Sequence, residues 1–213
     1  MFITLEGMDG SGKTTAIKTL KSFLEKQGYE VLMTREPGGH KISEEIRNLV
    51  LSDNAEGIHP WTEALLYIAS RKEHIDKVIL PALKENKIVI CDRYMDSTSA
   101  YQGHARGIGI DVVDSVQHSV LDGCVPDLTV YFDISLEESN KRLTSRDDEK
   151  NRLDREGSTF KEKVEQGYKI LINKYPERFK VVDASQSIKN VQEQTNKIIL
   201  EAIKNYEKRK SNR

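Results

Sequence analysis

Apolar residues in this chain fall into short unbroken runs, separated by longer stretches where they recur every three or four positions. Met1–Leu5, Tyr29–Thr34, Lys87–Cys91, Leu128–Phe132 and Phe179–Val182 read as strands. None of them carries a clean polar face, as expected of strands covered on both sides. Between them, Ile17, Leu20 and Leu24 mark a helix that Gly28 closes. Helical spacing also covers Ile42–Leu51, Pro60–Glu85, Leu136–Thr144, Phe160–Tyr175 and Ile188–Tyr206, with shorter helices around Thr98–Gly103 and Asp111–Leu121. In the long Pro60–Glu85 region the expected apolar stripe is Leu65, Ile68, Ile75, Val78 and Leu83, and Pro81 is a place for a bend. Glu207–Arg213 is expected to fray into solvent.

Strands alternating with helices predict an α/β fold, a three-layer αβα arrangement around a five-stranded parallel sheet. No internal repeat or low-complexity linker divides the chain, so 1–213 reads as one domain. The charged stretch Ser145–Glu156 is an excursion from it. Composition changes this picture little. With 33 Lys and Arg against 34 Asp and Glu, the net charge of −1 argues against a non-specific nucleic-acid binder. The two cysteines, Cys91 and Cys124, read as free thiols and suit a reducing cytoplasm. Met1 leads directly into Phe2-Ile3-Thr4-Leu5, so neither a signal peptide nor a membrane span is expected.

Between the first strand and the first helix stands Gly7-Met8-Asp9-Gly10-Ser11-Gly12-Lys13-Thr14, a Gly-x-x-x-x-Gly-Lys-Thr phosphate loop (P-loop). Its glycines let backbone N–H groups turn inward around an anion, and the following helix adds its free N–H groups and dipole. Gly7, Gly10, Ser11, Gly12, Lys13, Thr14 and Thr15 are therefore candidates for binding a nucleotide triphosphate. Lys13 can reach the β- and γ-phosphates, and Thr14 offers a hydroxyl to Mg²⁺. The loop names the donor and leaves the acceptor open.

Other residues narrow the choice. Asp92-Arg93-Tyr94 ends the third strand and Arg35-Glu36 the second, and such ends converge on the phosphate loop in this architecture. Together with Asp9 they gather carboxylates and guanidiniums where a Mg²⁺–nucleotide would sit. Tyr67 and Arg71 lie one helical turn apart, suited to stacking on a base and bonding its edge, and Arg47, Thr98, Tyr101 and Gln102 can complete such a pocket. Arg142, Arg146, Arg152 and Arg155 crowd the charged stretch. As a lid over 145–156, that stretch would exclude water and bring positive charge to a transferring phosphoryl group.

Taken together, Phe2-Ile3-Thr4-Leu5-Glu6-Gly7, Thr34-Arg35-Glu36-Pro37-Gly38-Gly39, Glu63-Ala64-Leu65-Leu66-Tyr67, Ser70-Arg71 and Asp92-Arg93-Tyr94-Met95-Asp96-Ser97-Thr98-Ser99-Ala100-Tyr101-Gln102-Gly103 resemble the bacterial thymidylate kinases, P-loop nucleoside monophosphate kinases, over nearly the whole chain. The resemblance implies transfer of the γ-phosphoryl of ATP to dTMP, with Mg²⁺, in a cytoplasmic homodimer packed through helices of the long central region. It implies that Asp9 meets the 3′-hydroxyl of the acceptor sugar, that Arg93 bridges the two phosphates, and that Arg47 grips the dTMP phosphate. Tyr67 would stack on thymine, Arg71 would bond its edge, and Thr98 and Gln102 would read the other side, within a substrate site that includes Pro37 and Tyr101. Glu36 and Asp92 would sit near the metal and its waters. Some relatives carry an arginine directly after the loop carboxylate. Here that position is Gly10, so the resemblance assigns catalytic positive charge to the lid. Arg146 and Arg152 are the candidates, Arg142 falls toward the adenine, and Asp154 falls near the family's acidic position. The alternatives are a kinase for another pyrimidine nucleotide such as dUMP, or a nucleotide-switch regulatory protein. The chain has no Asn-Lys-x-Asp stretch for reading guanine.

Overall fold

Strand β1 (Phe2–Gly7) is buried along its whole length and forms the centre of the sheet. The computed structural model describes residues 1–144 and 152–212. β2 (Val31–Arg35), β3 (Ile88–Asp92), β4 (Leu128–Asp133) and β5 (Phe179–Asp183) join β1 in the order β2-β3-β1-β4-β5, all parallel. The period-two geometry of a strand sends neighbouring side chains to opposite faces. Accordingly Ile88 and Ile90 of β3 join one apolar cluster, while Val89 and Cys91 join the other. Helices α1 (Lys13–Glu25) and α9 (Ile188–Ser211) cover the first face through Leu20, Leu24, Ile199 and Ile203. Ile75, Ile79 and Ala82 cover the second. The expected three-layer α/β fold is the one observed.

Three local expectations need correction. β1 continues through Glu6 and Gly7, because both still pair with Tyr131 and Phe132 of β4. The long central region is α3 (Pro60–His74), a π-helical turn (Ile75–Ile79) and α4 (Leu80–Lys84). The wide turn, closed by Leu80 N–H on the Ile75 carbonyl, absorbs Pro81 where the α-helix restarts. Within it Leu65, expected in the core stripe, is 50% exposed. Finally, α9 does not fray at Glu207 but runs to Ser211. Tyr29 OH donates to Glu207 Oε2 at 3.3 Å, and Lys210 Nζ donates to Asn86 Oδ1 at 2.8 Å.

The remaining helices are α2 (Lys41–Leu51), α5 (Met95–Thr98) continued by a π-helical segment (Ser99–Ala105), α6 (Ile110–His118), α7 (Leu136–Thr144) and α8 (Ser158–Lys174). In a parallel sheet all strand C-termini open at one end. The phosphate loop, Arg35-Glu36 and Asp92-Arg93 therefore meet there, as expected.

Candidate active site

The chain leaves β1 at Gly7 in a backbone conformation (φ +143°) closed to other residues: a Cβ there would stand 2.7 Å from the Phe132 carbonyl. Lys13 then folds over the loop, and its Nζ donates to the carbonyls of Gly7 (2.7 Å) and Met8 (3.0 Å) and to Ser11 Oγ (3.4 Å). Burial lowers its pKa to about 8, with Arg93 adding to the effect and Asp9, Asp92 and Glu6 opposing it. An ammonium desolvated in this way has most to gain from an arriving anion. Gly10 (φ +80°) is shut in by α7, since a Cβ there would meet the Ser139 carbonyl at 2.7 Å. Ser139 Oγ donates to the Asp9 carbonyl at 2.6 Å, so α7 and the loop are joined directly.

Arg93 adopts φ +64°, a left-handed conformation that costs a non-glycine residue about 1–3 kcal/mol. Its neighbours hold it there. Arg93 N–H donates to the Leu5 carbonyl (3.0 Å), and Tyr94 N–H donates to Glu6 Oε1 (2.7 Å). The guanidinium donates from Nη2 to Asp9 Oδ1 at 2.6 Å and from Nη1 to Ser97 Oγ (3.2 Å) and Tyr168 OH (3.3 Å). It also lies 5.3 Å from the Tyr101 ring centroid. Desolvation opposes ionisation of Asp9, but Arg93 and Lys13 outweigh it and hold its carboxyl below the usual range.

Beside this pair opens a cavity. It brings together Asp9, Glu36, Pro37, Arg47, Tyr67, Arg71, Arg93, Thr98, Tyr101 and Gln102, all expected on one substrate. Leu153 and Asp154 also line it, so the far end of the charged stretch is part of its wall. Arg71 is 2% exposed and held at all three nitrogens, with one N–H left on each Nη: Nε donates to Glu36 Oε2 (2.7 Å), Nη2 to Thr98 Oγ1 (3.0 Å) and Nη1 to Gln117 Oε1. A second cavity lies on the other side of the loop between Gly10, Ser11, Gly12, Thr15 and Arg142 and the start of α9 at Gln186–Ile188.

Two of the expected residues carry bonds that no motif showed. Glu36, expected near the metal and its waters, accepts from Arg71 on one oxygen and meets His74 Nδ1 at 2.9 Å with the other, which braces it in the pocket wall. Arg152 was expected at the transferring phosphate, yet its guanidinium is committed to the Val50 carbonyl (3.2 and 3.1 Å) and Glu63. Arg146 lies outside the described residues. Asp92 and Thr14 do fit a cation: among the described residues Asp92 Oδ1 is buried without a hydrogen-bond partner, and Thr14 is exposed.

The family model for thymidylate kinase matches residues 5–195, most of the chain. The chain belongs to the thymidylate kinase family. It is 56% identical to a thymidylate kinase of Mesoplasma florum over 210 residues, covering 99% of this chain and 100% of the relative. It is also 56% identical to one of Mycoplasma capricolum subsp. capricolum over 213 residues, covering 100% of each. Among solved structures, a thymidylate kinase from Ehrlichia chaffeensis superposes with a TM-score of 0.75 at 36% identity, covering 94% of this chain and 98% of that one.

Within this thymidylate kinase fold, several residues around the cavities escape a motif reading. Glu6 is fully buried and accepts from Tyr94 N–H, Ser97 Oγ (2.6 Å) and Tyr168 OH (2.9 Å). Its signal was a carboxylate directly between the first strand and the phosphate loop. Burial and the nearby Asp96 push its pKa up to about 7, against Arg93, Ser97 and Tyr168. A carboxyl whose folded pKa exceeds its unfolded value binds its proton more tightly in the folded chain, so its contribution to stability grows as pH falls from 7 toward 4.5. Urea unfolding between pH 5 and 8 is therefore expected to show a gain toward acid that Glu6→Gln lacks. Parallel curves for the two proteins would mean that Glu6 does not titrate in that window.

Proposed function

We propose that this chain transfers the γ-phosphoryl group of ATP to dTMP, giving dTDP and ADP. The observation that carries the reading is that two cavities share one phosphate loop, one lined by Asp9 and its partner Arg93 and the other by Gly10, Ser11, Gly12 and Thr15. The cavity at Gly10–Thr15 and Arg142 takes the donor, and the cavity at Arg47, Tyr67 and Arg71 takes the acceptor. Tyr67 stacks on the base, while Arg71, Thr98 and Gln102 face its edge. Arg47 holds the acceptor phosphate, and Asp9 meets the sugar hydroxyl.

Attack is in line, by an oxygen of the acceptor phosphate on the γ-phosphorus. With a second pKa near 6 that phosphate is already largely anionic at neutral pH, so no strong protein base is needed. Lys13 and Arg93 lie where charge builds on the transferring group, and their work is alignment and charge stabilisation. Residues 152–156 help to keep water from the acceptor side. Thr14 and Asp92 are the residues that would hold Mg²⁺, which supplies neutralisation of the triphosphate charge.

ADP release, scanned over dTMP, dUMP, dCMP and dGMP with product identification, is expected to be fastest with dTMP. Lys13→Ala should lower turnover about tenfold to a thousandfold. GTP hydrolysis without transfer to any mononucleotide would overturn the reading in favour of a nucleotide switch.

We also propose a homodimer. Ile42 and Leu49 on α2 and Leu65 on α3 are 45–50% exposed on two helices packed against each other, an apolar surface suited to a second copy. Sedimentation velocity should show a dimer that Leu65→Glu weakens, and a wild-type monomer at micromolar concentration would refute it. Among the described residues no helix is long and apolar enough to cross a membrane. The buried free thiols of Cys91 and Cys124 suit a reducing cytoplasm, where this reading places the chain.

A further inference from the structure

Glu63 stands on α3 one helical turn before Tyr67, with no solvent exposure. Its carboxylate collects donors from two other segments. Oε1 accepts from Gln102 Nε2 at 2.8 Å and from Arg106 Nε at 3.2 Å, and Oε2 accepts from Arg152 Nη2 and Arg106 Nη2. Burial opposes its ionisation, but the bonds from Gln102 and Arg152 and the charge of Arg106 outweigh this and hold its pKa below the usual range.

An ionised carboxylate only accepts hydrogen bonds. Gln102 must therefore turn its NH₂ toward Glu63, which leaves its Oε1 for the cavity it lines. Among the described residues no donor meets that oxygen. The same cavity presents the Arg71 guanidinium, which can only donate. The wall thus offers one acceptor and one donor whose roles cannot be exchanged.

We propose that Glu63 is a specificity-determining positioning residue, which locks the Gln102 amide so that the pocket accepts a base edge carrying an N–H donor beside a carbonyl acceptor. A thymine or uracil edge has that pattern. Cytosine has the reverse at both positions, a ring nitrogen acceptor and an amino donor, and meets Gln102 Oε1 and Arg71 with like against like. A site whose buried polar groups are left facing the wrong partner discriminates far more strongly than a pocket that is merely too large.

The inference rests on the reading of this cavity as the site of a pyrimidine monophosphate. Wild-type protein tests that reading first: it should phosphorylate dTMP in preference to dCMP, and failure there removes the reading whatever Glu63 does. Given that activity, Glu63→Gln supplies a neighbour that can donate as well as accept, so the Gln102 amide is free to flip. The ratio of kcat/KM for dTMP to that for dCMP is expected to fall by about tenfold or more. Equal loss on both substrates, with the ratio unchanged, would overturn the proposal and leave Glu63 a purely structural residue. Should Glu63→Gln fail to fold, the wild-type side chain can be read directly by NMR. The Gln102 Nε2 protons, assigned by their absence in Gln102→Met, should exchange slowly with solvent in the free protein and when dTMP is bound. Fast exchange in both states would likewise overturn it.

Discussion

Arg93→Ala is expected to lower turnover at saturating ATP and dTMP by about a hundredfold or more while the chain stays folded. The guanidinium is held on three sides, by Asp9, by Ser97 and Tyr168, and by the ring of Tyr101. It is thus positioned before substrates arrive, and little reorganisation remains to be done at the transition state. Catalysis and stability can be separated at this residue, because its backbone is left-handed at φ +64°. Arg93→Gly should be as inactive as Arg93→Ala yet more stable by about 1 kcal/mol, since glycine adopts that conformation without a Cβ penalty. Steady-state kinetics and urea unfolding on the three proteins check both parts. A turnover loss under about threefold would remove Arg93 from the chemistry. Equal stability of the two variants would remove the strain argument.

The second large effect is structural. Asp96 and Arg178 form a buried pair with two 2.6 Å bonds from separate guanidinium nitrogens, and Arg178 also donates to Thr129 Oγ1 at 2.6 Å. The guanidinium lies 4.8 Å from the ring centroids of both Tyr175 and Phe179. Asp96→Ala leaves that charge buried without its partner, at a cost of about 3–5 kcal/mol. For a domain of this size, that lowers Tm by roughly 6–20 °C. Turnover of the folded fraction at 25 °C should change little, because Asp96 acts on the join between α5, β4 and the start of β5 rather than on substrate. Calorimetry with activity measured well below Tm tests this. A stability loss under about 1 kcal/mol would mean that Arg178 finds another partner.

Asp96 also shows where reading from sequence stops. It sits inside Asp92–Gly103, among letters assigned to the site, yet its carboxylate faces Arg178, more than eighty residues away, and no spacing rule reaches that far. Strand positions were legible because hydrophobic periodicity is local, and the phosphate loop because its geometry is written in consecutive residues; the burial expected of every strand holds for β1, β3 and β4, while the edge strands β2 and β5 keep exposed positions. The acceptor cavity was legible as a set, since its expected residues converge on one space. What did not show was the direction in which long polar side chains turn. Glu36 turned inward to Arg71 and His74, and Arg152 to Glu63 and Val50, because each found a desolvated partner of opposite charge or an open carbonyl. The helix ends failed for a different reason, as Tyr29 and Asn86 secured a tail that composition alone left loose.

The contact between Gly10 and α7 limits what position 10 can hold. A side chain at position 10 has no room while the Ser139 carbonyl stands 2.7 Å from its Cβ, and Ser139 is itself tied to Asp9. An arginine cannot enter the loop here until the helix has first withdrawn, and withdrawal breaks the Ser139–Asp9 bond before the new charge is in place. Gly10→Arg alone is therefore expected to push α7 off the phosphate loop before it adds any useful charge there.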